Sequence, residues 1–532
     1  MENRCERQAS SKQPFATQSR LAQIFCASAL YSPSLHPQRR PAKVQSRLSL
    51  QNIQGEELFQ SATTLARKLR EGEISSEELV EAHLRRIQKI NPELNAVVAL
   101  TDDAIQMARQ ADARLAKGKC DGPLHGLPMT IKDCFNTAGV VSTWGTMGRK
   151  NFIPSEDATV VKRLKSAGAI LLGKTNTPEF TFSFSTYNKI HGFTRNPYDV
   201  TRTPGGSSGG AAAAIASGLT SFDIGTDFAG SIRVPSHFCG TAGIKPTSGS
   251  VPRTGMCLPP GWLMDFMSHV GPMARKVSDL SLILPVIWGP DSIDTSIAPV
   301  PFPNPELVVL KGLRCVVMVS NGVSEPDEET QAALMRTEAV LKNARVNVRR
   351  DRLEGIAEIA ELVSGLHTAG GYAFITELIR AAGTKPEDVA NNWLKELDPD
   401  EVSAEEFSKW RSAYFHASAR ALNDQLVRVE DVRRRLLQQM VHYDVLISAV
   451  TPNPAPVLPS PGDNPFQGAS YTEVFDVTGL PAGVVRAGTS SEGLPIGVQV
   501  IANPWREDIV LAVMALVEAA LPEFPPPALA LD

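Results

Sequence analysis

Short apolar runs closed off by glycine and proline recur through the first 300 residues, with helical stretches between them. Leu127 to Ile131 and Ala169 to Leu172 are two such runs, and a third centres on Ile244. Residues 157–167 and 209–217 read as intervening helices. Brief apolar runs between turn formers suit buried strands, and strands alternating with helices build α/β layers. Upstream, Ser75 and Glu78 form an S-x-x-E capping box, and Leu79, His83, Ile87 and Ile90 follow at helical spacing. Asn91-Pro92 predicts the end of that helix. Residues 102–117 predict a further one.

The texture changes near residue 300. Residues 325–345 and 352–440 are charged, helical and poor in strand signals. Val445-Leu446-Ile447 restores a buried strand, Gly479-Leu480-Pro481 and Gly493-Leu494-Pro495 restore the turns, and residues 506–521 predict a last helix. The plan that follows is one α/β core, about 56–300 and 440–525, with a helical insertion at about 300–440. Residues 1–55 stand apart. The first 50 carry eight Lys/Arg and two acids, Glu2 and Glu6, which reads as a disordered or organelle-targeting extension.

The 532 residues are 42% hydrophobic and 21% charged with a formal net charge of −4, an ordinary globular balance that supports no nucleic-acid surface. Seven cysteines without a C-x-x-C pair argue for reduced thiols and a cytoplasmic location, and against a zinc ribbon. No run of 18 apolar residues is present, so no membrane span is expected.

Two motifs tempt and fail. Gly168 to Thr175 fits the P-loop string G-x-x-x-x-G-K-T, but its four inner residues, Ala169 to Leu172, read as strand and not as a loop curled around phosphate. Gly205-Gly206-Ser207-Ser208-Gly209 fits G-x-S-x-G, but turn residues precede it where a nucleophile elbow needs a strand. The nine histidines form no metal-binding pair, so neither metal nor cofactor is expected.

Three segments remain. Gly126-Leu127-Pro128-Met129-Thr130-Ile131-Lys132-Asp133 ends an apolar run on a lysine, whose burial costs charge. Pro204 to Gly210 is a glycine-rich turn opening an alanine-rich helix. Gly225 to Pro235 carries small residues that let successive backbone N–H groups point one way. Together with Gly173 to Phe180, Phe238-Cys239-Gly240, Gly243 to Thr247 and the two C-terminal G-L-P turns, these resemble the amidase signature family of C–N hydrolases. The likeness covers about residues 56–525. Ser231 lies 24 residues after Ser207 and 99 after Lys132, which agrees with the family's spacing.

The resemblance implies one large domain whose central mixed β-sheet is covered by helices on both faces. It implies a Ser–cisSer–Lys triad: Ser231 as nucleophile, Ser207 on a cis peptide as proton relay, Lys132 as base. The residue types suit that chemistry. A serine hydroxyl needs a neighbour to take its proton, and a lysine can do so only when burial lowers its pKa. The backbone N–H groups of Phe228, Ala229, Gly230 and Ser231 would form the oxyanion hole, with Ser208, Asp227 and Arg233 around them. Ala229 stands where the family commonly has glycine, which narrows the site by a methyl. The implied activity is hydrolysis of a small carboxamide, anilide or carbamate by a monomer or homodimer. The alternatives are the glutamine-hydrolysing subunit of a tRNA-dependent amidotransferase and a non-catalytic scaffold.

Overall fold

A computed structural model describes residues 55–366, 372–390, 419–461 and 469–530. Thirteen strands occur among them: β1 Val97–Leu100, β2 Pro128–Lys132, β3 Ile170–Thr175, β4 Tyr187–Asn188, β5 Gly192–Phe193, β6 Phe222–Asp227, β7 Ala242–Lys245, β8 His269–Ala274, β9 Arg314–Met318, β10 Asn347–Arg350, β11 Val445–Ala449, β12 Ala482–Thr489 and β13 Pro495–Ala502. Eight form one mixed sheet in the order β10-β9-β11-β13-β12-β7-β8-β6. The pairs at the β10 end are parallel and the rest antiparallel. A smaller sheet has the order β1-β3-β2, with β2 and β3 parallel. Thr130 on β2 and Thr175 on β3 both donate to Asp223 Oδ2 on β6, at 2.5 and 3.0 Å, and tie the two sheets together.

The apolar run predicted at 127–131 is β2, and β2, β3, β6 and β8 are buried at every position. The predicted helices are present as Ala104–Leu115, Thr159–Ser166, Gly209–Ala216 and Glu507–Ala520. The Ser75–Glu78 capping box closes as read: Ser75 Oγ accepts from Glu78 N at 3.1 Å, and Glu78 Oε2 accepts from Ser75 N at 2.9 Å. That helix passes Pro92, however, and runs Ser76–Leu94. Pro92 falls in its last turn, and Asn91 turns its side chain onto Ala96 N, Val97 N and Val97 O to close the end.

The stretch expected as a helical insertion begins differently. Helices Glu328–Asn343, Ile356–Leu366, Tyr372–Ala381 and Ala419–Met440 are present, but β9 and β10 also lie there and extend the main sheet. The run Cys315-Val316-Val317-Met318 is fully buried, with Arg314 before it and Val319 after it, and β10 is an edge strand of sequence Asn-Val-Arg-Arg with no apolar alternation. β10 thus lacks the pattern that announces a strand, whereas β9 is a brief apolar run of the buried-strand kind inside a stretch read as helical. Of the expected targeting or disordered segment, 1–55, residues 1–54 lie outside the described residues. Among the described residues no helix is long and apolar enough to cross a membrane, and no cluster of His, Cys, Asp or Glu is placed to hold a metal ion.

Candidate active site

Lys132 is the last residue of β2 and is fully buried. Its Nζ donates to three hydroxyl oxygens: Ser207 Oγ at 2.6 Å, Thr226 Oγ1 at 2.7 Å and Ser208 Oγ at 2.9 Å. Burial pushes its pKa down to about 8, against a smaller upward pull from Cys134, Cys257, Asp227 and Asp223. A three-donor ammonium meets three acceptors, so the charged form is satisfied. The neutral form needs only one hydroxyl to turn round and donate.

Ser207 and Ser208 open the helix Gly209–Ala216. That helix contains only glycine, alanine and one isoleucine, and every residue of it is buried. The Gly206–Ser207 peptide is cis. Ser208 N donates to the carbonyl of Ser231 at 3.2 Å, which seats the loop carrying Ser231 against the Ser207–Ser208 turn. Ser208 Oγ also meets Thr226 N and Thr226 O, each at 3.3 Å, so Lys132, Ser208 and Thr226 form a closed ring of contacts.

Residues 228–232 link β6 to the helix Arg233–Cys239. Asp227, at the end of β6, folds back over this loop. Its carboxylate accepts from Gly230 N at 2.7 Å, Ile232 N at 3.0 Å and Arg233 N at 3.3 Å, and from the Arg233 guanidinium at 2.9 and 3.0 Å. Burial alone would raise this carboxyl. The Arg233 charge and these donors outweigh burial and hold it well below the usual carboxylate range. Gly230 has φ +129°, and a Cβ there would lie 2.5 Å from Thr472 Oγ1, so only glycine fits. Ala229 has no positive φ, and its backbone therefore accepts alanine without strain.

This geometry divides the four amides expected to act as one set. The Gly230 N–H is spent on Asp227 and is not open to a ligand. Among the described residues the N–H groups of Ala229 and Ser231 find no acceptor. Ser231 is 6% exposed, and its hydroxyl makes no hydrogen bond among the described residues.

Behind the loop lies a buried charge cluster, of which the sequence announced Asp227 and Arg233 but not Asp476 or His269. Arg233 Nη2 reaches Asp476 Oδ2 at 2.5 Å, and its Nη1 donates to Thr472 O at 2.9 Å and Gln499 Oε1 at 3.3 Å. Arg233, Asp227 and Asp476 are all sealed from solvent. Burial pushes the Asp476 carboxyl well above its usual range, with Arg233 opposing and Asp227 adding to the rise. His269 stands 3.3 Å from Asp476, and burial pushes its ring well below the ordinary imidazole range. Thr472 Oγ1 donates to the Ala229 carbonyl, so the helix Glu473–Val477 and the residue before it grip the loop from the far side. In that helix Glu473 keeps some exposure. It has no partner among the described residues, and burial raises its carboxyl to about 7. Sequence signals for these groups were weak. Thr226 sits inside a quoted motif, but Thr472 and Asp476 lie far along the chain from it, in a stretch without a motif. On the cover side, the Phe228 ring stacks on Trp262 with centroids 5.6 Å apart, and Trp262 stacks on Phe374 at 4.8 Å.

Known proteins resemble this chain along most of its length. The family profile described as Amidase matches residues 78–511. A glutamyl-tRNA(Gln) amidotransferase subunit from Heliobacterium modesticaldum is 31% identical over 462 residues, covering 84% of this chain and 94% of that protein. The indoleacetamide hydrolase of Bradyrhizobium diazoefficiens is 34% identical over 472 residues, 86% of each chain. The solved structure of 6-aminohexanoate cyclic dimer hydrolase with substrate superposes with a TM-score of 0.77 at 29% identity, covering 89% of this chain and 100% of that one. By sequence and by fold alike, the chain belongs to the amidase signature family and is an amidase.

Proposed function

We propose that this amidase cleaves the C–N bond of a small carboxamide, anilide or carbamate through an acyl-enzyme, with Ser231 as nucleophile, Ser207 as relay and Lys132 as base. The observation that carries the reading is the buried Lys132 Nζ at 2.6 Å from Ser207 Oγ, on the turn whose Ser208 N–H holds the Ser231 carbonyl. Neutral Lys132 accepts the Ser207 proton while Ser207 Oγ accepts that of Ser231, and Ser231 Oγ attacks the carbonyl carbon. The oxyanion is met by the N–H groups of Ala229 and Ser231, which are the unspent donors of the loop. The proton returns through Ser207 to the leaving amine, the C–N bond breaks, and water releases the acid by the same route. Asp227, with Arg233 and Thr472, holds the loop in shape. The five free thiols among the described residues support a reducing, cytoplasmic setting, with the chain acting as a monomer or homodimer.

A second reading is ammonia release from glutamine within a tRNA-dependent amidotransferase, favoured by the names of several relatives. The test uses the purified chain alone on a panel of amides, anilides, carbamates and glutamine, read by mass spectrometry. Turnover of simple amides in the absence of other proteins supports the first reading. Activity on glutamine only, and only with partners, replaces it with the second.

A further inference from the structure

Arg486 lies at an irregularity of β12, 7% exposed, with no carboxylate at ion-pair distance among the described residues. A guanidinium offers five N–H groups. Three are spent: Nη1 on Tyr198 OH at 2.7 Å, Nη2 on Thr489 Oγ1 at 2.9 Å, and Nε on the Gly488 carbonyl at 3.3 Å. One N–H remains on each terminal nitrogen. The Tyr198 and Phe524 rings lie 5.0 and 4.4 Å from the guanidinium carbon. The group borders a recess of about 400 Å³ that also takes in Phe59 and Thr241. The Thr241 hydroxyl is buried, 2% of the residue being exposed, and has no partner among the described residues.

The other charges around the recess are engaged. Arg275 donates to the carbonyls of Gln60, Ile215 and Thr220, Lys276 pairs with Glu523 at 3.1 Å, and Glu518 accepts from Val277 N. That leaves a buried cation without a counter-charge, two uncommitted donors and an orphan hydroxyl bordering one recess with apolar walls. Burying an uncompensated charge is costly, and a bound anion relieves it. The remaining pair of N–H groups matches the two oxygens of a carboxylate.

We propose that this recess is a second binding site, for a small monocarboxylate with a flat apolar body: the carboxylate spans the two free N–H groups of Arg486 and the Thr241 hydroxyl, and the body lies against Phe524 and Phe59. The recess borders Cys239 and Gly240, at the opposite end of the helix Arg233–Cys239 from Ser231. It is thus separate from the nucleophile and joined to it by one helix.

The test is calorimetric titration of the full chain, with Ser231 first blocked by a serine-directed phosphonate, using phenylacetate, acetate and inorganic phosphate as probes. Phenylacetate should bind the blocked protein, more tightly than acetate or phosphate. Arg486→Gln should weaken phenylacetate at least tenfold, and Thr241→Val several-fold, with amide turnover by the unblocked variants unchanged. Thr241→Val keeps shape, so its result stands even where Arg486→Gln fails to fold. No heat with the blocked wild type overturns the proposal, as does undiminished binding in both variants. Binding seen only before blocking assigns it to the Ser231 site and overturns the proposal equally.

Discussion

In the proposed mechanism Ser231, Ser207 and Lys132 divide one proton transfer, and each should leave its own signature when removed. Ser231→Ala should abolish phosphonate labelling and lower turnover by several orders of magnitude while circular dichroism stays native. Lys132 acts only when deprotonated. Its pKa is held to about 8, below the ordinary lysine value, so the active fraction grows with pH. The rate constant kcat/KM should therefore climb through pH 7 and level off above about 8. An arginine keeps the charge and cannot surrender its proton, so Lys132→Arg should be nearly as inactive as Lys132→Ala. A Lys132→Arg enzyme with a flat, substantial rate near neutrality would sink the general-base role. Which side chains meet here was largely legible in the sequence, because Lys132, Ser207, Ser208, Asp227 and Arg233 stand in short, dense motifs. What was not legible is how the amides share out. Whether the Gly230 N–H serves a ligand or Asp227 depends on how a carboxylate folds back across three residues, and no residue type dictates that.

At the level of elements, the loop between β6 and the helix Arg233–Cys239 is clamped from both sides. Asp227 and Arg233 hold it from within the motif. Thr472 and Asp476 hold it from a short helix contributed by the far end of the chain. Thr472→Val keeps the shape but leaves the Ala229 carbonyl unpaired. We expect kcat to fall about tenfold with KM little changed, and stability to drop by about 1–3 kcal/mol in urea unfolding. Arg233→Met strands two buried carboxylates at once. It should cost about 3–5 kcal/mol, read as a large fall in Tm, and a rate defect without loss of stability would contradict the clamping role. Strand β9 and strand β10 show where reading by pattern ends. The buried β9 shows only a short apolar run, which a helical surround masks, and the exposed edge strand β10 shows no alternation at all, so its neighbour in the sheet reveals it.

For the whole molecule, the division of labour runs along the chain. The residues proposed to handle the proton lie between 132 and 231, while Trp262, Phe374 and Glu473, which border the loop or its cover, come from later segments. The first group was readable because its spacing is compact. The second was not, since a lone tryptophan or glutamate carries no pattern. The purified chain should hydrolyse amides unaided and keep that activity after exhaustive EDTA treatment. Loss on chelation with recovery on adding one metal would demand another mechanism.

The order of the eight strands also sets a timetable. β11, β13 and β12 occupy the middle of the large sheet, yet they are the last strands to leave the ribosome. Until residues 445–449 have emerged β9 presents an unpaired edge, until residues 482–489 have emerged β7 does, and until residue 476 has emerged the loop bearing Ser231 lacks its outer clamp. Pairings between such distant segments form slowly, and open edges invite association with other chains. A nascent chain of this protein is therefore inert and adhesive until β11, β12 and β13 emerge, and these strands bring its sheet and its chemistry together.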